Sequence, residues 1–316
     1  MVYWLVSMLG QPRVNVLAAL LSFALTAVLI AVFRDKLPQD HGRQYAVNGA
    51  LSRGKARGAG VLFVPCMILV TLAFVPFSVE LLIYMALLAA EMCSGYLDDA
   101  ADKPWNEYKK GIIDFVVALV AAVTFVNFNS SDISVLGWTL HLPYAVYLVL
   151  AVVLIWAGIN VVNCSDGVDG LAGVLSLVSM GTLLLAFGGE MGGFGTAVFI
   201  VMASVCAYLW CNASPSTVMM GDAGSRALGF FLALLAMKSM HPLAFLLAAL
   251  VFILDGGLGI LKISLKRFLH ISILKNVRTP LHDHARKNLA WSDAQVVIRF
   301  ALMQLLLAAV LLLLVW

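Results

Sequence analysis

Long apolar runs alternate with short polar or charged segments along the whole chain of 316 residues. An α-helix needs about 20 apolar residues to cross the hydrocarbon core of a bilayer, and several runs are near the lower limit of that length. Glycine, proline or charged residues separate the runs. The pattern predicts an all-α, polytopic membrane protein, with a single transmembrane domain over 1–316. Its ten predicted spans lie near 14–33, 59–77, 79–97, 111–127, 143–161, 170–188, 194–213, 226–240, 241–261 and 298–316.

The composition supports this class. Apolar residues make up 62% of the chain and charged residues 12%, whereas soluble domains carry about 25% charged residues. The first run lacks a small-residue cleavage site and ends at Arg34, so we interpret it as a span rather than a signal peptide. The five cysteines show no paired spacing and mostly fall within apolar runs, which favours small apolar fillers over disulfides or a metal site. Cys164 is the possible exception, because it stands in a polar motif.

The distribution of positive charge predicts the topology. With ten spans, all lysines and arginines except Arg13 and Lys238 fall on one side of the membrane. The positive-inside rule then places both termini outside. The predicted cytoplasmic loops lie near 34–58, 98–110, 162–169, 214–225 and 262–297. One outer segment, 129–143, has β-branched residues around a Leu-Gly-Trp turn and is predicted to form a small hairpin.

Paired acids close the third apolar run, where Asp98 and Asp99 are followed by Asp102. A charge at mid-bilayer costs roughly 2.5–3.5 kcal/mol on insertion scales. The cost is lower at a helix end, but adjacent carboxylates still repel each other. A bound cation would offset that repulsion, and Mg²⁺ favours one or two carboxylates together with phosphate oxygens. For this pair taken alone, solvated loop charges are the alternative.

A second polar motif, "NVVNCSDGVDG", follows the fifth run. Asn160, Asn163, Asp166 and Asp169 recur at intervals of three, which would keep them on one helical face. We expect both aspartates at the N-terminus of the next helix, where the dipole favours anions. Ordinary capping is the alternative, although capping needs only one such residue.

A third motif, "GDAGS", places Asp222 just before the eighth run. The unpaired N–H groups of a helix start form a natural anion site, and a simple N-cap is the alternative. Three acidic loops from different helices would then meet on the inner face. That pattern suggests a shared metal and phosphate site.

The last inner loop contains His282, Asp283 and His284 among basic residues. Histidines two positions apart do not have helical zinc-ligand spacing, and no cysteine is near. A phosphate or sugar contact is the favoured interpretation, with a polar surface loop as the alternative.

Four ordered segments, "DDAADK", "NxxNxSDGxDGLA", "NASPSTVMMGDAGS" and "TPLHDH…VVIRF", resemble the polyprenyl-phosphate N-acetylhexosamine-1-phosphate transferases over about residues 53–300. The resemblance implies ten spans, a homodimer in the bacterial cytoplasmic membrane, and a Mg²⁺ site facing the cytoplasm. It implies transfer of a phospho-sugar from a UDP-linked amino sugar to a polyprenyl phosphate, with no nucleic-acid partner. The tail is most similar to the branch that transfers phospho-MurNAc-pentapeptide to undecaprenyl phosphate, giving lipid I and UMP.

By motif position, the resemblance implies a catalytic set of Asp98, Asp99, Asp222 and His282. It implies Asp222 and Asp99 as metal ligands. The substrate-binding residues that it implies are Lys55, Lys103, Asn163, Asp166, Gly167, Val168, Asp169, Asn212, Met219, Asp283 and His284. The chain departs from the family pattern at Asp283, which replaces a histidine, at Met219, which replaces an aromatic residue, and in the stretch "RGKARGAG".

Two other functions are consistent with parts of the sequence. One is a sibling transferase that uses UDP-GlcNAc or a related sugar. The other is an ion or solute transporter, for which we expect acids at mid-membrane and on both sides. Only Glu80, Asp132 and Glu190 are plainly near the outer side, while Glu91, Asp114 and Asp255 lie within runs.

The ninth run contains a glycine cluster, "FILDGGLGILKIS". Such a cluster could bend the span beside an apolar groove for the lipid acceptor. Close helix packing through small residues is the alternative.

Overall fold

The computed structural model describes residues 2–40, 42, 52–101, 103–135 and 137–315. Asp102, and Arg43 among the basic residues counted for the topology, lie outside the described residues. The helices are α1 Val2–Leu9, α2 Gln11–Phe33, α3 Gly60–Phe74, α4 Val79–Asp99, α5 Glu107–Phe128, α6 Tyr144–Ser165, α7 Leu171–Phe187, α8 Phe194–Asn212, α9 Gly221–Lys238, α10 Phe245–Ala248, α11 Leu250–Phe252, α12 Leu258–Phe268, α13 Leu281–Asn288 and α14 Asp293–Val315. The strands are β1 Ala56–Arg57, β2 Asp132–Val135, β3 Trp138–His141 and β4 Val218–Met219.

A helical segment occupies each predicted apolar run, which confirms an α-helical, multi-pass membrane protein. In the described part of the chain, six helices are long and apolar enough to cross a bilayer: α2, α4, α5, α6, α8 and α14. The bent segment formed by Pro242–Ala248 and Leu250–Phe268 is a seventh if it counts as one span. α3 and α7 are shorter apolar helices, and α9 carries three charged residues within its 18 positions. The count of ten spans and the side of each terminus stay predictions.

The central helix is α9, whose residues from Gly221 to Met237 are all buried. It packs against α3, α4, α6 and α7. Glycines allow the closest of these approaches: a Cβ on Gly229 would lie 2.5 Å from the carbonyl oxygen of Gly158 in α6. Small residues of this kind let helix backbones come together inside a membrane.

The ninth apolar run is bent, as the sequence suggested, but not at its glycines. The two parts meet at an angle of 69°, and the break lies at Ala249, between α10 and α11. Gly256 and Gly257 fall in the π-helical turn Ile253–Gly257 that follows, and Gly259 lies in α12. A Cβ on Gly256 would lie 2.5 Å from the carbonyl oxygen of Val161, so this glycine serves close packing against α6.

The predicted outer hairpin is confirmed, since β2 pairs antiparallel with β3. The other small sheet was not predicted. There β1 pairs in parallel with β4, with Arg57 opposite Met219, so the loop before α3 is fastened to the loop before α9. Backbone bonds continue the contact, since the N–H of Ala59 donates to Met219 at 3.0 Å and that of Gly60 donates to Met220 at 3.0 Å.

Candidate active site

The end of α4 presents two acids to different partners. Asp98 Oδ1 accepts a hydrogen bond from the backbone N–H of Trp105 at 2.6 Å, and Oδ2 pairs with Lys110 at the start of α5. The Asp98 side chain is almost fully buried. The loop between α4 and α5 and the first turn of α5 therefore fix the position of this carboxylate.

Asp99 is held between two other segments. Its Oδ1 accepts from Nε of Arg57 at 2.9 Å, and Nη2 of Arg57 lies 2.9 Å from the same oxygen. Its Oδ2 accepts from the backbone N–H of Ala223, in the first turn of α9, at 3.2 Å. The side chain has no exposed surface. Asp99 thus joins β1, α4 and α9.

Asp222, also in the first turn of α9, completes the group. Lys110 Nζ donates to its Oδ2 at 3.0 Å, and Arg57 Nη2 lies 3.7 Å from its Oδ1. We call Asp98, Asp99 and Asp222, together with Lys110 and Arg57, the carboxylate cluster. The structure thus brings together Asp98, Asp99 and Asp222, the acids of two of the three loops that the sequence predicted to meet, while their catalytic roles stay predictions. Asp169 of the second motif, the third predicted loop, is paired with Lys55 instead.

Three glycines make this meeting possible. A Cβ on Gly95, one turn before Asp98, would lie 2.4 Å from the backbone N of Ala223, and one on Gly60 would lie 2.2 Å from the backbone N of Gly224. Gly221 has a φ of 67°, which strains other L residues, and a Cβ there would lie 2.2 Å from Asp99 Oδ2. Side chains at these positions would separate α9 from α3 and α4.

The sequence analysis missed Arg57 and Lys110 as site residues and used both only for topology. Burial by itself would lower the pKa of Arg57, but the carboxylates of Asp99, Asp222 and Asp40 outweigh it and raise the pKa above its ordinary value. Arg57 therefore stays charged in the cluster. Arg57 and Lys110 come close to the acids only through tertiary contacts, for which the sequence holds no local signal.

The second motif is held by a separate set of contacts. Lys55 Nζ donates to Asp169 Oδ2 at 2.9 Å and to Ser216 Oγ at 3.0 Å. The backbone N–H of Ser216 donates to the same Asp169 oxygen at 3.0 Å. Asn163 Nδ2 donates to Ser225 Oγ at 2.9 Å, which ties the end of α6 to α9. These bonds place the second motif beside the third.

The expectation that Asp166 lies at a helix N-terminus is wrong. α6 continues to Ser165, so Asn160 and Asn163 belong to its last turns and Asp166 is its C-cap. Asp166 is half-buried, Gly167 is exposed and Val168 is buried. The helix ends at Asp166, whose φ of −81° and ψ of 51° are not helical, and Gly170, with a φ of 86°, directly precedes α7. Asp169 does lie just ahead of α7.

Asn212 and Met219 border the same loops. Asn212 is buried, its Oδ1 accepts from the N–H of Gly170 at 2.8 Å, and its Nδ2 donates to the carbonyl of Val218 at 2.8 Å. Met219, half-buried, lies in β4. Lys103 is exposed in the loop after α4. The predicted substrate contacts of these residues stay predictions.

The histidine loop is anchored to the bent ninth segment through Asp255, which the sequence analysis noted only as an acid within an apolar run. The backbone N–H of His282 donates to Asp255 Oδ1 at 2.7 Å, and Nδ1 lies 2.8 Å from Oδ2. The carboxylate accepts, so Nδ1 carries the proton and Nε2 is directed the other way. A Cβ on Gly167 would lie 2.3 Å from Nε2, so the second motif packs against this ring.

Two more contacts fix this loop. Asp283 Oδ1 accepts from Arg286 Nη2 at 2.7 Å, and the same nitrogen donates to the carbonyl of Gly167 at 3.1 Å. His284 Nδ1 accepts from the backbone N–H of Arg278 at 3.3 Å. His282 and Asp283 thus lie beside the second motif, and their predicted phosphate or sugar contacts stay predictions.

The donor set fits a cation that arrives with a diphosphate. Among the described residues, no group of three or more His, Cys, Asp or Glu side chains is arranged to hold a metal by itself. The Asp99 oxygens are bonded to Arg57 and Ala223, whereas the Asp222 side chain retains 12% exposure. Mg²⁺ commonly takes one or two carboxylates, with phosphate oxygens and water completing its octahedron.

Two cavities flank the bent segment. One, of about 550 Å³, is an apolar groove between α6 and the segment α10–α12, with Tyr147, Trp156, Phe245 and Leu258 in its wall. The other, of about 400 Å³, lies between α12 and the segment that leads to α13, and is lined by Lys262, Lys275, Asn276, Val277, Arg278, Thr279 and Asn288. The first suits a hydrocarbon chain and the second an anion.

Comparison with known proteins identifies the family. Residues 81–240 match the model described as glycosyl transferase family 4. The phospho-N-acetylmuramoyl-pentapeptide-transferase of Treponema pallidum (strain Nichols) is 41% identical over 295 residues, which cover 86% of this chain and 81% of that protein. The enzymes of that name from Bartonella quintana (30% identical, 68% of this chain and 67% of that protein) and Nautilia profundicola (25%, 92% and 91%) also match. The chain therefore belongs to the phospho-N-acetylmuramoyl-pentapeptide-transferases, within glycosyl transferase family 4.

Proposed function

We propose that this protein transfers phospho-N-acetylmuramoyl-pentapeptide from its UDP carrier to undecaprenyl phosphate in peptidoglycan synthesis, giving lipid I and UMP. The relatives named above support the donor. The observation that carries the chemistry is the convergence of Asp98, Asp99 and Asp222 at helix ends, paired with Lys110 and Arg57. Phosphoryl transfer asks a protein mainly to position phosphates and to neutralise charge.

The carboxylate cluster is where we place the diphosphate. A Mg²⁺ ion held by Asp222, with Asp99 beside it, would neutralise the departing UMP. Lys110 and Arg57 exchange part of their contacts with the acids for contacts with phosphate oxygens. Because these cations are already held by buried carboxylates, little reorganisation is needed when the substrate binds.

Asp98 orients the phosphate of the acceptor for attack on the β-phosphorus of the donor. An acceptor oxygen forms the new P–O bond while the bond to UMP breaks. The second pKa of a phosphate monoester is near 6, so a strong base is not required. Residual proton transfer to Asp98 accompanies the attack. A two-step route through an aspartyl phosphate is the alternative.

The surrounding loops supply the remaining contacts of the donor. We place the uracil against Gly167, Val168 and Asp169, with Asn212 and Met219 at its border. Lys55 fixes Asp169, and Asn163 fixes the start of α9. Phosphate and sugar contacts come from Lys103, His282, Asp283 and His284, and Asp166 borders this group.

The groove between α6 and the bent segment suits the prenyl chain of the acceptor, because its walls are apolar.

The second cavity, lined by Lys262, Lys275 and Arg278, suits the free C-terminal carboxylate of the donor peptide. Lys262 lies seven residues beyond Asp255, which corresponds to about 10 Å along a helix. Five extended residues reach about 17 Å, so a pentapeptide spans that distance.

The same proposal includes a bacterial cytoplasmic membrane location with ten spans, both termini outside, and the site facing the cytoplasm. It also includes a homodimer. The concentration of basic residues in the loops near 34–58, 98–110 and 262–297 supports this orientation.

A transfer assay with two radiolabelled donors tests the function. The purified protein receives undecaprenyl phosphate, Mg²⁺ and either UDP-MurNAc-pentapeptide or UDP-GlcNAc, and the lipid-extractable label is counted. We expect label only from the muramoyl donor. Label from UDP-GlcNAc alone would assign the protein to the sibling transferases. Transfer from neither donor, with solute flux in proteoliposomes, would support a transporter.

A further inference from the structure

A second charged group lies deeper in the protein, inside the helix bundle. Arg226 of α9 is 2% exposed, its Nη2 lies 3.1 Å from Glu91 Oε2 in α4, and the same nitrogen donates to Asp114 in α5. Glu91 has no exposed surface and Asp114 is 2% exposed. Asn160 of α6 donates to Asp114 at 3.2 Å. We call Arg226, Glu91 and Asp114 the Arg226 network. The proposed chemistry does not use it.

The Arg226 network repeats the helix pattern of the carboxylate cluster. Each of its members stands four or seven residues from a cluster member on the same helix. Residues at those spacings share a helical face, about 6 Å and 10 Å apart along the axis. The pairs are Arg226 with Asp222 on α9, Asp114 with Lys110 on α5, and Glu91 with Asp98 on α4.

Stability alone does not account for the Arg226 network. Two carboxylates share one guanidinium, and within the described residues the Arg226 Nε and Nη1 atoms have no hydrogen-bond partner. Burying such charges is costly, and apolar side chains of similar volume often serve stability equally well. In the part of the chain that the structure describes, Asp114 accepts a hydrogen bond from Arg226 Nη2, whereas the Glu91 oxygens have no hydrogen-bond partner and Glu91 is held by its ion pair with the same nitrogen. These two contacts join α5 and α4 to one point on α9, which apolar packing does not do. Because an ionisable group within a membrane helix is costly to bury, such a group is taken as a candidate functional residue by default.

We propose that Arg226 is a positioning residue, which holds α4, α5 and α9 in register through Glu91 and Asp114 so that Asp98, Lys110 and Asp222 meet. The inference rests on the proposed function, because it concerns the geometry of that site. Without the Arg226 network the helices still pack, but rotation or sliding separates Lys110 from one of its two acids. The affinity for Mg²⁺ with nucleotide then falls.

The test replaces the whole Arg226 network, Glu91→Leu with Asp114→Leu and Arg226→Leu, so that no buried charge is left unpaired. The matched control is Glu80→Leu with Lys238→Leu. That ion pair, at 3.0 Å, joins the same helices α4 and α9 at their opposite ends. Each protein is melted in detergent over a range of Mg²⁺ concentrations with UMP, and kcat and KM are measured.

We expect the triple variant to keep its melting temperature without ligand. The Mg²⁺ concentration for half-maximal stabilisation should rise about fivefold or more, and kcat should fall about tenfold, with the acceptor KM within about twofold. The control should keep the wild-type Mg²⁺ midpoint and the wild-type kcat. A triple variant with the wild-type Mg²⁺ midpoint and kcat would overturn the proposal.

If the triple variant does not fold, Glu91→Gln tests the proposal instead. This substitution keeps the size of the side chain and the contact of Arg226 with Asp114. We expect its Mg²⁺ midpoint to rise about twofold or more at an unchanged melting temperature, and an unchanged midpoint overturns the proposal. A wild-type protein that shows no Mg²⁺ and UMP stabilisation would instead contradict the proposed function.

Discussion

Asp98 and Asp99 are neighbours in the chain, yet their carboxylates have separate partners. Adjacent helical side chains point about 100° apart, so Asp98 is directed to Lys110 and Asp99 to Arg57. Asp222 reaches both cations from a third segment. Each cation is thus shared between acids from different helices, and the removal of one cation exposes two acids to each other.

Lys110→Met tests this sharing. The substitution leaves Asp98 and Asp222 without their common cation, so we expect kcat to fall about 100-fold or more, a typical effect of losing one charge-stabilising group. Lys109→Met is the control, because Lys109 is exposed and stacks over Trp105. Steady-state UMP release measures both. A Lys110→Met enzyme as active as the Lys109→Met enzyme would exclude Lys110 from the site.

Residue types at helix ends were enough to predict that Asp98, Asp99 and Asp222 lie together, because carboxylates are costly inside a bilayer and stand out at its edge. They also predicted that the second motif joins these acids, but Asp169 is bonded to Lys55 and Ser216 instead. The cations were not predictable. Arg57 and Lys110 are two of many basic residues in inner loops, and only the fold selects them as partners. Asp255 was recognised as an acid within an apolar run, but its bond to His282 depends on the bend of the ninth segment.

At the scale of elements, three glycines at the contacts of α9 with α3 and α4 determine how close the acids come to one another. Gly60 and Gly95 let α3 and α4 touch the backbone of α9 itself. The β1–β4 pair then fastens the loop that carries Arg57 to the loop that precedes Asp222. The site is therefore built on backbone contacts between elements, with few intervening side chains.

Gly95→Ala should disrupt this contact. The added methyl group would lie 2.4 Å from backbone atoms of α9, which cannot move as a side chain would. We expect a destabilisation of about 1–3 kcal/mol and loss of transfer. Gly111→Ala is the control, since no atom of another described segment lies within 4 Å of its Cβ position in α5. Melting curves and UMP release would contradict the account if both variants behaved like wild type.

The elements themselves were largely predictable, because long apolar runs and a turn between β-branched residues are local signals. The β1–β4 pair was not, because two-residue strands have no periodicity. The position of the bend was also missed. The glycine cluster suggested a bend within 252–264, but Gly256 and Gly257 pack against α6, and the chain breaks at Ala249.

At the scale of the whole molecule, all the predicted site motifs gather at one end of the helix bundle, while the hairpin and the Glu80–Lys238 pair lie at the other. This separation agrees with the side assigned to basic loops by charge. Sequence reasoning reached the class of fold because hydropathy determines it. Hydropathy does not determine which of the shorter helices cross the bilayer, since α3, α7 and α9 depend on their neighbours for burial.

Thiol labelling tests the orientation. In a chain whose five cysteines are replaced by alanine, Trp138→Cys in the hairpin and Leu269→Cys after α12 introduce single exposed thiols, at sites 81% and 61% exposed. A membrane-impermeant maleimide should label Trp138→Cys in intact spheroplasts, and Leu269→Cys only after lysis. The reverse pattern would place the acids outside and contradict the topology.

The central claim is that helix-end carboxylates at the inner face bind a metal–diphosphate complex, and Asp222→Asn tests it most directly. The substitution keeps the size of the side chain and removes its charge. UMP release from UDP-MurNAc-pentapeptide with undecaprenyl phosphate is measured at saturating Mg²⁺, with equal melting temperature as the criterion of folding. We predict that wild type releases UMP and that the variant falls about 100-fold or more. A folded variant that keeps more than about a tenth of wild-type turnover, far above what loss of such a charge allows, would contradict the account.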